Sequence, residues 1–578
     1  MRASRSARAA VPPKVELPAW RAALVFGGLG ALFAVLGARS LYLQGIDDQF
    51  LQAQGKARYT RIVEVPAHRG RIVDRHGEAL AISTPVKSLW AFPDKLSATP
   101  AEWIALAKLL ETTPQALQRK VHAADDFVYL ARRVPPEVAK GALALGIAGL
   151  YDESEYRRFY PGGEVMGHVL GFTGDRDTGQ EGIELSQHDW LGGRPGSRRV
   201  IIDRRGDVVE DVASVREPQA GRDLALSIDS RLQYLAFREL KAAVEQHKAK
   251  AGGVVILDSR SGEILALANW PAFNPNRIEK IARDRMRNRA LTDVFEPGST
   301  LKPFTVATAL EAGTVRPETM IDTNRGTMTI GGRTIRDAHA AGILSVEQVI
   351  QKSSNIGSAK IALGLPAERM WQTLSGAGFG TTARTGFPGE VSGRLRPARS
   401  WRPIEQATIS YGHGISTNLV QLARAYTIFA NDGELKPATL LKTGQPAPGE
   451  PVIAASTARA VRRMLELAAQ PGGTAPKAQV TGYRVAGKTG TAHKLEGGVY
   501  TNKYLSSFVG FAPVSAPRLI VAVMIDEPSA GQHYGGAVAA PVFSTVTGAA
   551  LRLLGVPADA PANNVILPPE GSVVHEDT

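Results

Sequence analysis

A serine and a lysine stand three residues apart in Ser299-Thr300-Leu301-Lys302, directly before an apolar run. On a helix this spacing puts both side chains on one face, so the Lys302 amine can reach the Ser299 hydroxyl. A buried lysine beside another cation can give up its proton and activate a serine for covalent acyl transfer. Taken alone, the pattern equally fits a helix-capping serine followed by a solvated lysine.

Two further motifs follow in the chain, Ser353-Ser354-Asn355 and, on a predicted strand, Lys488-Thr489-Gly490-Thr491. Taken singly, the first motif is typical of a local turn that caps a helix. The second is typical of an edge strand whose lysine prevents pairing with another chain. Three motifs in this order, with an acidic variant of the middle one, are shared by penicillin-binding proteins and class A β-lactamases. Together they indicate a serine acyl-transfer site.

The elements around the motifs predict an α+β fold. Helical periodicity covers residues 229–247, 305–310, 346–361 and 419–430, and strand-like runs cover 253–257, 264–268, 484–487, 506–511 and 519–525. The first two strands form a hairpin. Strands at both ends of a domain, with helices between them, predict one antiparallel sheet that joins the first strands to the last and is flanked by helices.

The N-terminus predicts a membrane anchor. Residues 1–21 carry five basic groups against one acid, and residues 22–38 are apolar and uncharged. Extended to residues 20–43, the segment is long enough to span a bilayer, with Arg21 and Arg39 near its ends. A cleaved signal peptide is the alternative. Positive charge before the span places residues 1–19 in the cytoplasm and the rest outside.

Composition excludes several kinds of site. The chain has 578 residues and a net charge of +13, but part of the excess lies in the N-terminal tail and no nucleic-acid motif accompanies it. There are no cysteines, so disulfides, thiolate metal sites and cysteine nucleophiles are excluded. The eleven histidines show no paired ligand spacing. We therefore expect no metal site, and serine acyl transfer needs neither a metal nor an organic cofactor.

The remaining chain is expected to divide into three parts. Residues 44–221 are predicted to form an elongated mixed α/β pedestal, or dimerisation-type domain, with a short strand at 61–66, helices within 98–146 and a loop-rich region after them. A composition shift near Gly221 marks the boundary with the acyl-transfer domain at 222–556. Residues 557–578, rich in proline and acid, are predicted to be a flexible tail.

The sequence resembles the class B penicillin-binding proteins, and among them the division-specific type called penicillin-binding protein 3 or FtsI. No glycosyltransferase domain precedes the catalytic motifs, which separates the chain from the class A proteins. The resemblance spans nearly the whole chain, and besides the anchor and the three catalytic motifs it is carried by residues 69–75 with Gly77, 157–161, 181–184, 287–299, 411–414 and 534–536.

The resemblance implies a peptidoglycan D,D-transpeptidase. Ser299 would attack the penultimate D-alanine of a stem pentapeptide, with Lys302 as general base and Ser353 as proton relay. Asn355 would hold the substrate peptide and Lys302, and Lys488 would supply positive charge. Thr489, Gly490 and Thr491 would bind the substrate, the threonines through its carboxylate, and the backbone N–H groups of Ser299 and Thr491 would form the oxyanion hole.

The resemblance also implies partners and a location. The partners would be peptidoglycan stem pentapeptides, β-lactam antibiotics, a membrane-embedded glycan polymerase such as FtsW, and other division proteins. The protein would be single-pass in the bacterial inner membrane at the division site, with its catalytic domain in the periplasm. A serine D,D-carboxypeptidase or β-lactamase shares the three motifs, and a non-catalytic penicillin-binding scaffold is the alternative from another class.

Overall fold

The computed structural model describes residues 18–43, 60–175, 177–202, 208–279, 281–443, 446, 448–567 and 569. The chain forms two compact units: residues 1–66 with 195–219, and residues 67–194 with 220–578. The predicted domain boundary near Gly221 remains a proposal. The predicted basic tail lies mostly outside the described residues.

The first unit contains the apolar N-terminal segment and one small sheet. The segment is a single helix, Ala19–Leu41, of 23 residues whose side chains are all exposed. At the helical rise this is about 35 Å, enough to cross a bilayer. The sheet is antiparallel, with strands in the spatial order Thr60–Val65, Gly196–Ile202 and Val208–Arg216.

The early part of the second unit is built around the long strand Ala79–Ala91. It pairs antiparallel with three strands, Val128–Val134, Leu150–Phe159 and the short strand Ile72–Val73. The strand Ile72–Val73 pairs in parallel with Leu224–Ala225. Three helices pack their apolar sides on this sheet, each beginning at a proline: Pro100–Leu109, Pro114–His122 and Pro136–Leu143. The strand Val128–Val134 interrupts the region that periodicity predicted as helical.

A buried ion cluster joins three segments that carry the family resemblance. The Arg69 Nε atom donates to Glu184 at 2.7 Å, and the Arg158 Nε atom donates to the other oxygen of the same carboxylate at 2.7 Å. All three side chains are at most 2% exposed. Because two guanidinium groups share one buried carboxylate, charge-assisted hydrogen bonds fix the three segments to one another.

The main sheet of the second unit has five antiparallel strands. Their spatial order is Ile264–Trp270, Ala251–Asp258, Leu519–Asp526, Val499–Ala512 and Ala486–Glu496. The first strands of the domain therefore lie beside the last, which confirms the predicted α+β arrangement. In the register, Val255 faces Ala522 and Lys488 faces Val509.

Both faces of this sheet are covered, so the adjacent strands Ala251–Asp258 and Leu519–Asp526 are mostly apolar and buried throughout. Ser230–Gln246 and Ala540–Leu553 pack on one face. Asp229 caps the first of these helices through the Arg231 N–H. The other face carries a second core around Phe304 and Phe429. The principal helices on that side are Lys302–Glu311, Val346–Gln351, Asn355–Leu363, Ala367–Gly376, Leu419–Ala425, Thr427–Ala430 and Ala455–Ala469.

Short elements complete the second unit. The remaining helices are Gly167–Leu170, Gly182–Ser186, His188–Leu191, Arg283–Met286, Arg289–Thr292, Pro403–Ile409 and Gly535–Val538. The 3₁₀ turns are Gly163–Val165, Gly298–Leu301, Asn324–Gly326, Ala398–Ser400 and Pro476–Ala478. The remaining strands are Met320–Asp322, Thr327–Ile330, Arg333–Arg336, Ile343–Ser345, Glu434–Leu435 and Glu450–Pro451.

The segment predicted to be a flexible tail starts on the surface of the second unit. The Asp559 carboxylate accepts from the Arg484 N–H at 2.7 Å, and the Asn564 side-chain oxygen accepts from the Gly482 N–H at 2.8 Å. Residues 570–578, on which the rest of that prediction falls, lie outside the described residues.

Candidate active site

Ser299 and Lys302 meet because the chain between them is a 3₁₀ turn. Gly298–Leu301 forms this turn and leads directly into the helix that begins at Lys302. A 3₁₀ helix has three residues per turn, so side chains three apart lie one above the other. The Lys302 Nζ atom donates to Ser299 Oγ at 2.7 Å. Ser299 is 4% exposed and Lys302 is fully buried.

Ser353 lies at a break between two helices. Periodicity predicted one helical stretch over 346–361, and this is wrong at its centre: Val346–Gln351 ends before the motif and Asn355–Leu363 begins inside it. Ser353 adopts a left-handed backbone with φ of 62°, which a continuing helix cannot contain. The break turns the Ser353 carbonyl and hydroxyl toward Lys302, whose Nζ atom donates to them at 2.6 and 3.0 Å.

Lys488 joins this cluster from the edge strand of the main sheet. Its side chain is fully buried, and its Nζ atom donates to Ser353 Oγ at 2.8 Å. A continuous hydrogen-bonded path therefore runs from Ser299 Oγ through Lys302 and Ser353 to Lys488. Burial and the second amine both disfavour two full positive charges here, so one lysine can serve as a proton acceptor.

The edge strand packs closely against the turn that carries Ser299. A Cβ atom added at Gly490 would lie 2.9 Å from the Pro297 carbonyl oxygen and 2.5 Å from Ser507 Oγ. A Cβ atom at Gly298 would lie 3.5 Å from the Thr491 carbonyl oxygen. Only glycine permits this approach at residue 490. The backbones of Ser299 and Thr491, the two predicted oxyanion donors, therefore belong to segments in direct contact.

The two threonines of the third motif are held by residues that lie outside the three motifs. Thr489 Oγ1 lies 2.8 Å from Thr474 Oγ1, and Thr491 Oγ1 accepts from the Gly535 N–H at 3.0 Å. Thr474 belongs to no recognisable motif. Gly535 belongs to a segment already noted for its family resemblance, so only the glycine could have been found from sequence.

Asn355 and its neighbour are fixed by the end of a hairpin. The Asn355 amide donates to the Arg336 carbonyl at 3.2 Å. The next residue, Asp337, accepts from Ser354 Oγ and, at 2.9 Å, from the Ile356 N–H. Asp337 thus orients the middle motif, although nothing in its own sequence context marks it. The predicted contact of Asn355 with Lys302 remains a prediction.

Glu296 and an aromatic group form the rim beside the nucleophile. The Glu296 carboxylate accepts from the Gly414 N–H at 2.7 Å and from the Tyr500 hydroxyl at 3.1 Å. Burial raises the pKa of Glu296 above its ordinary value. The His413 ring packs edge-to-face against Tyr411, with the ring centroids 5.2 Å apart, and burial together with the Lys302 charge lowers the pKa of His413 to about 4. His413 is therefore neutral at pH 7.

Two family descriptions match the chain. Residues 252–548 match the penicillin-binding protein transpeptidase domain, and residues 64–226 match the penicillin-binding protein dimerisation domain. The first match contains all three sequence motifs, and the second contains the buried Arg69–Glu184 pair.

Curated proteins resemble nearly the whole chain. The probable peptidoglycan D,D-transpeptidase PenA of Neisseria gonorrhoeae is 44% identical over 93% of each chain. The peptidoglycan D,D-transpeptidase FtsI of Escherichia coli K12 is 42% identical over 94% of this chain and 93% of its own. Among solved structures, the transpeptidase domain of Burkholderia pseudomallei penicillin-binding protein 3 has 51% sequence identity and a TM-score of 0.54, covering 58% of this chain and 98% of its own.

Proposed function

The chain belongs to the class B penicillin-binding proteins of the division-specific type, and on this premise we propose that it is a serine D,D-transpeptidase that cross-links septal peptidoglycan. The observation that carries the proposal is the buried path from Ser299 Oγ through Lys302 and Ser353 to Lys488, with steps of 2.7, 3.0 and 2.8 Å. A nucleophile, a base within hydrogen-bonding reach and a second partner for the base are the minimum for covalent acyl transfer.

Acylation follows from this geometry. Lys302 takes the proton of Ser299 as the serine oxygen attacks the carbonyl of the penultimate D-alanine. Ser353, between the two lysines, relays a proton to the leaving amine, and the terminal D-alanine departs. The oxygen of the tetrahedral intermediate is stabilised by the backbone N–H groups of Ser299 and Thr491, since such donors bind charge that exists only in the transition state.

The third motif orients the donor peptide. Lys488 supplies positive charge from a fully buried position, so it acts at low effective dielectric. Thr489 and Thr491 bind the terminal carboxylate of the substrate, with Gly490 between them allowing close approach. Asn355 holds the peptide from the opposite side. A β-lactam occupies the same positions and acylates Ser299, which makes it an inhibitor.

The N-terminal helix anchors the protein in the membrane. The Ala19–Leu41 helix has the length and apolar surface of a single span. We place the N-terminus in the cytoplasm, the catalytic domain in the periplasm and the protein at the division site, together with an FtsW-like polymerase. The position of a fluorescent fusion in dividing cells tests the location at the division site. Protease added outside the inner membrane tests the orientation. Digestion that leaves the catalytic domain intact in spheroplasts would contradict the orientation.

Acyl-enzyme formation is tested by mass spectrometry of the full-length protein after a fluorescent penicillin. We expect one adduct, located on Ser299, and none in Ser299→Ala. Thermal unfolding of both proteins shows whether the variant is folded. A folded wild-type protein without an adduct, or an adduct on another residue, would contradict the proposal.

A further inference from the structure

Thr474 carries a buried hydroxyl group that the proposed mechanism does not use. It lies in the turn after the helix Ala455–Ala469 and is 2% exposed. Its Oγ1 atom is 2.8 Å from Oγ1 of Thr489, which is fully buried, and Lys488 Nζ lies 3.1 Å from the same Thr489 oxygen. The hydrogen-bonded path that starts at Ser299 therefore extends beyond Lys488, through Thr489, to Thr474.

The main chain fixes the position of this hydroxyl group. The Ala475 N–H donates to the Ala468 carbonyl at 3.0 Å, which ties the turn to the end of the helix. A Cβ atom added at Gly473 would lie 2.4 Å from the same carbonyl oxygen, and one added at Gly536 would lie 2.1 Å from the Thr474 carbonyl oxygen. These close backbone contacts hold Thr474 in place independently of its side-chain oxygen.

The direction of the hydrogen bond between the two threonines follows from their surroundings. A hydroxyl group has one proton to donate and two lone pairs that accept. In the part of the chain that the structure describes, Thr489 Oγ1 is the only hydrogen-bond partner of Thr474 Oγ1. A buried hydroxyl proton without an acceptor is unfavourable, so Thr474 is the donor and Thr489 Oγ1 the acceptor.

Lys488 uses the second lone pair of Thr489 Oγ1. A lysine ammonium group only donates hydrogen bonds, and Lys488 keeps its charge because Lys302 is the base. Thr489 Oγ1 thus receives two hydrogen bonds, and its own proton can only be donated. The terminal carboxylate of the donor peptide, which the mechanism assigns to Thr489 and Thr491, is an acceptor for that proton.

We propose that Thr474 is a positioning residue, which fixes the Thr489 hydroxyl as a hydrogen-bond donor and thereby selects donor peptides with a terminal carboxylate. This inference rests on the proposed transpeptidase function. A hydrogen bond to a carboxylate is stronger than one between neutral groups, so the direction of one hydroxyl group affects the rate of acylation. Thr474 acts only through Thr489 and does not touch the substrate.

The test uses two thioester donors that differ only at the carboxylate. Both carry the same acyl-D-alanyl group, and acylation of Ser299 breaks the carbon–sulfur bond. One donor releases thiolactate, and the other releases propane-2-thiol, in which a methyl group replaces the carboxylate. A thiol-reactive dye measures kcat/KM for thiol release by the full-length protein in detergent. The dye does not label the protein, because the chain has no cysteine.

Three variants separate the hydroxyl group from its support of the fold. Thr474→Val removes the hydroxyl with little change in shape, and Thr474→Ser keeps it. Thr547→Val is the matched control, because Thr547 is also fully buried but its hydroxyl has no hydrogen-bond partner in the described structure. Dividing the two rates measured on one preparation cancels any difference in the folded fraction.

We expect Thr474→Val to lower kcat/KM for the thiolactate donor by about tenfold, and for the propane-2-thiol donor by less than threefold. Thr474→Ser should restore the thiolactate rate to within about threefold of wild type, and Thr547→Val should leave the ratio unchanged. Equal losses for both donors, or no loss for either, would overturn the inference and leave the proposed function standing. A wild-type protein that neither donor nor penicillin acylates would instead refute the proposed function.

Discussion

Replacing Ser353 with alanine separates the proton relay from the placement of the base. The change removes the hydroxyl that accepts from Lys302 at 3.0 Å and from Lys488 at 2.8 Å. Lys302 keeps its hydrogen bonds to Ser299 Oγ at 2.7 Å and to the Ser353 carbonyl oxygen at 2.6 Å, because the backbone is unchanged. The variant should therefore retain the base in position and lose the group that passes its proton onward.

The magnitudes follow from this difference. A positioned proton-transfer group contributes about 10²–10⁴ in rate, so acylation of Ser353→Ala by penicillin should slow by that factor. The free energy of unfolding should fall by only about 1.5–3 kcal/mol, the value of one hydrogen bond to a charged group. The hydroxyl accepts two hydrogen bonds, but the two lysine amines repel each other, and this repulsion offsets the contribution of the second hydrogen bond to stability.

The neighbouring serine provides a matched control. Ser354 Oγ caps the following helix through the Gly357 N–H at 2.9 Å and donates to Asp337. Ser354→Ala should cost about 1 kcal/mol of stability and leave acylation within about threefold of wild type. A time course with fluorescent penicillin and a thermal melt measure both quantities. Wild-type acylation by Ser353→Ala, or equal slowing in both variants, would refute the reasoning.

Three further predictions concern the elements around the site. Gly490→Ala places a methyl group 2.9 Å from the Pro297 carbonyl oxygen, so the strand should shift and penicillin acylation should slow by about 10²-fold; unchanged acylation would contradict the close approach. Arg69→Met removes the hydrogen bonds that the guanidinium donates to the Glu184 carboxylate and carbonyl, whereas Arg158 still balances the carboxylate, so chemical denaturation should show a loss of about 1.5–3 kcal/mol; a neutral effect would exclude a stabilising role for the Arg69–Glu184 pair. Burial lowers the pKa of His168 to about 4, below the unfolded value of about 6.5. Because the unfolded state then binds the proton more readily, stability present above pH 6.5 should fall on the order of 3 kcal/mol as the pH drops to 4. His168→Gln should remove that part of the pH dependence, and an identical pH profile would show that His168 does not cause it.

Much of the catalytic domain was predictable because its signals are local. The strands around Val255 and Ala522 are continuous apolar runs, and the Ser299–Lys302 spacing needs only one turn of helix. The break at Ser353 was not predictable from periodicity, since flanking residues keep an apolar pattern through 346–361. Ser353 has a left-handed backbone and contacts Lys302 and Lys488, which are distant in sequence, so the local pattern does not mark the break.

Residues that support the motifs were missed for a related reason. Thr474, Asp337 and Tyr500 act through partners that the fold brings close from other segments of the chain, so nothing in their immediate sequence marks them. The strand Val128–Val134 was missed as well. Helical segments flank it on both sides, and its identity comes from pairing with the strand Ala79–Ala91.

The most direct test of the central claim counts products from a lipid-linked pentapeptide substrate supplied with a glycan polymerase. The full-length protein should release one D-alanine for each cross-linked stem peptide formed, and Ser299→Ala should yield neither. D-alanine released without cross-links would identify a hydrolase, and cross-links formed by Ser299→Ala would show that another residue carries the acyl group.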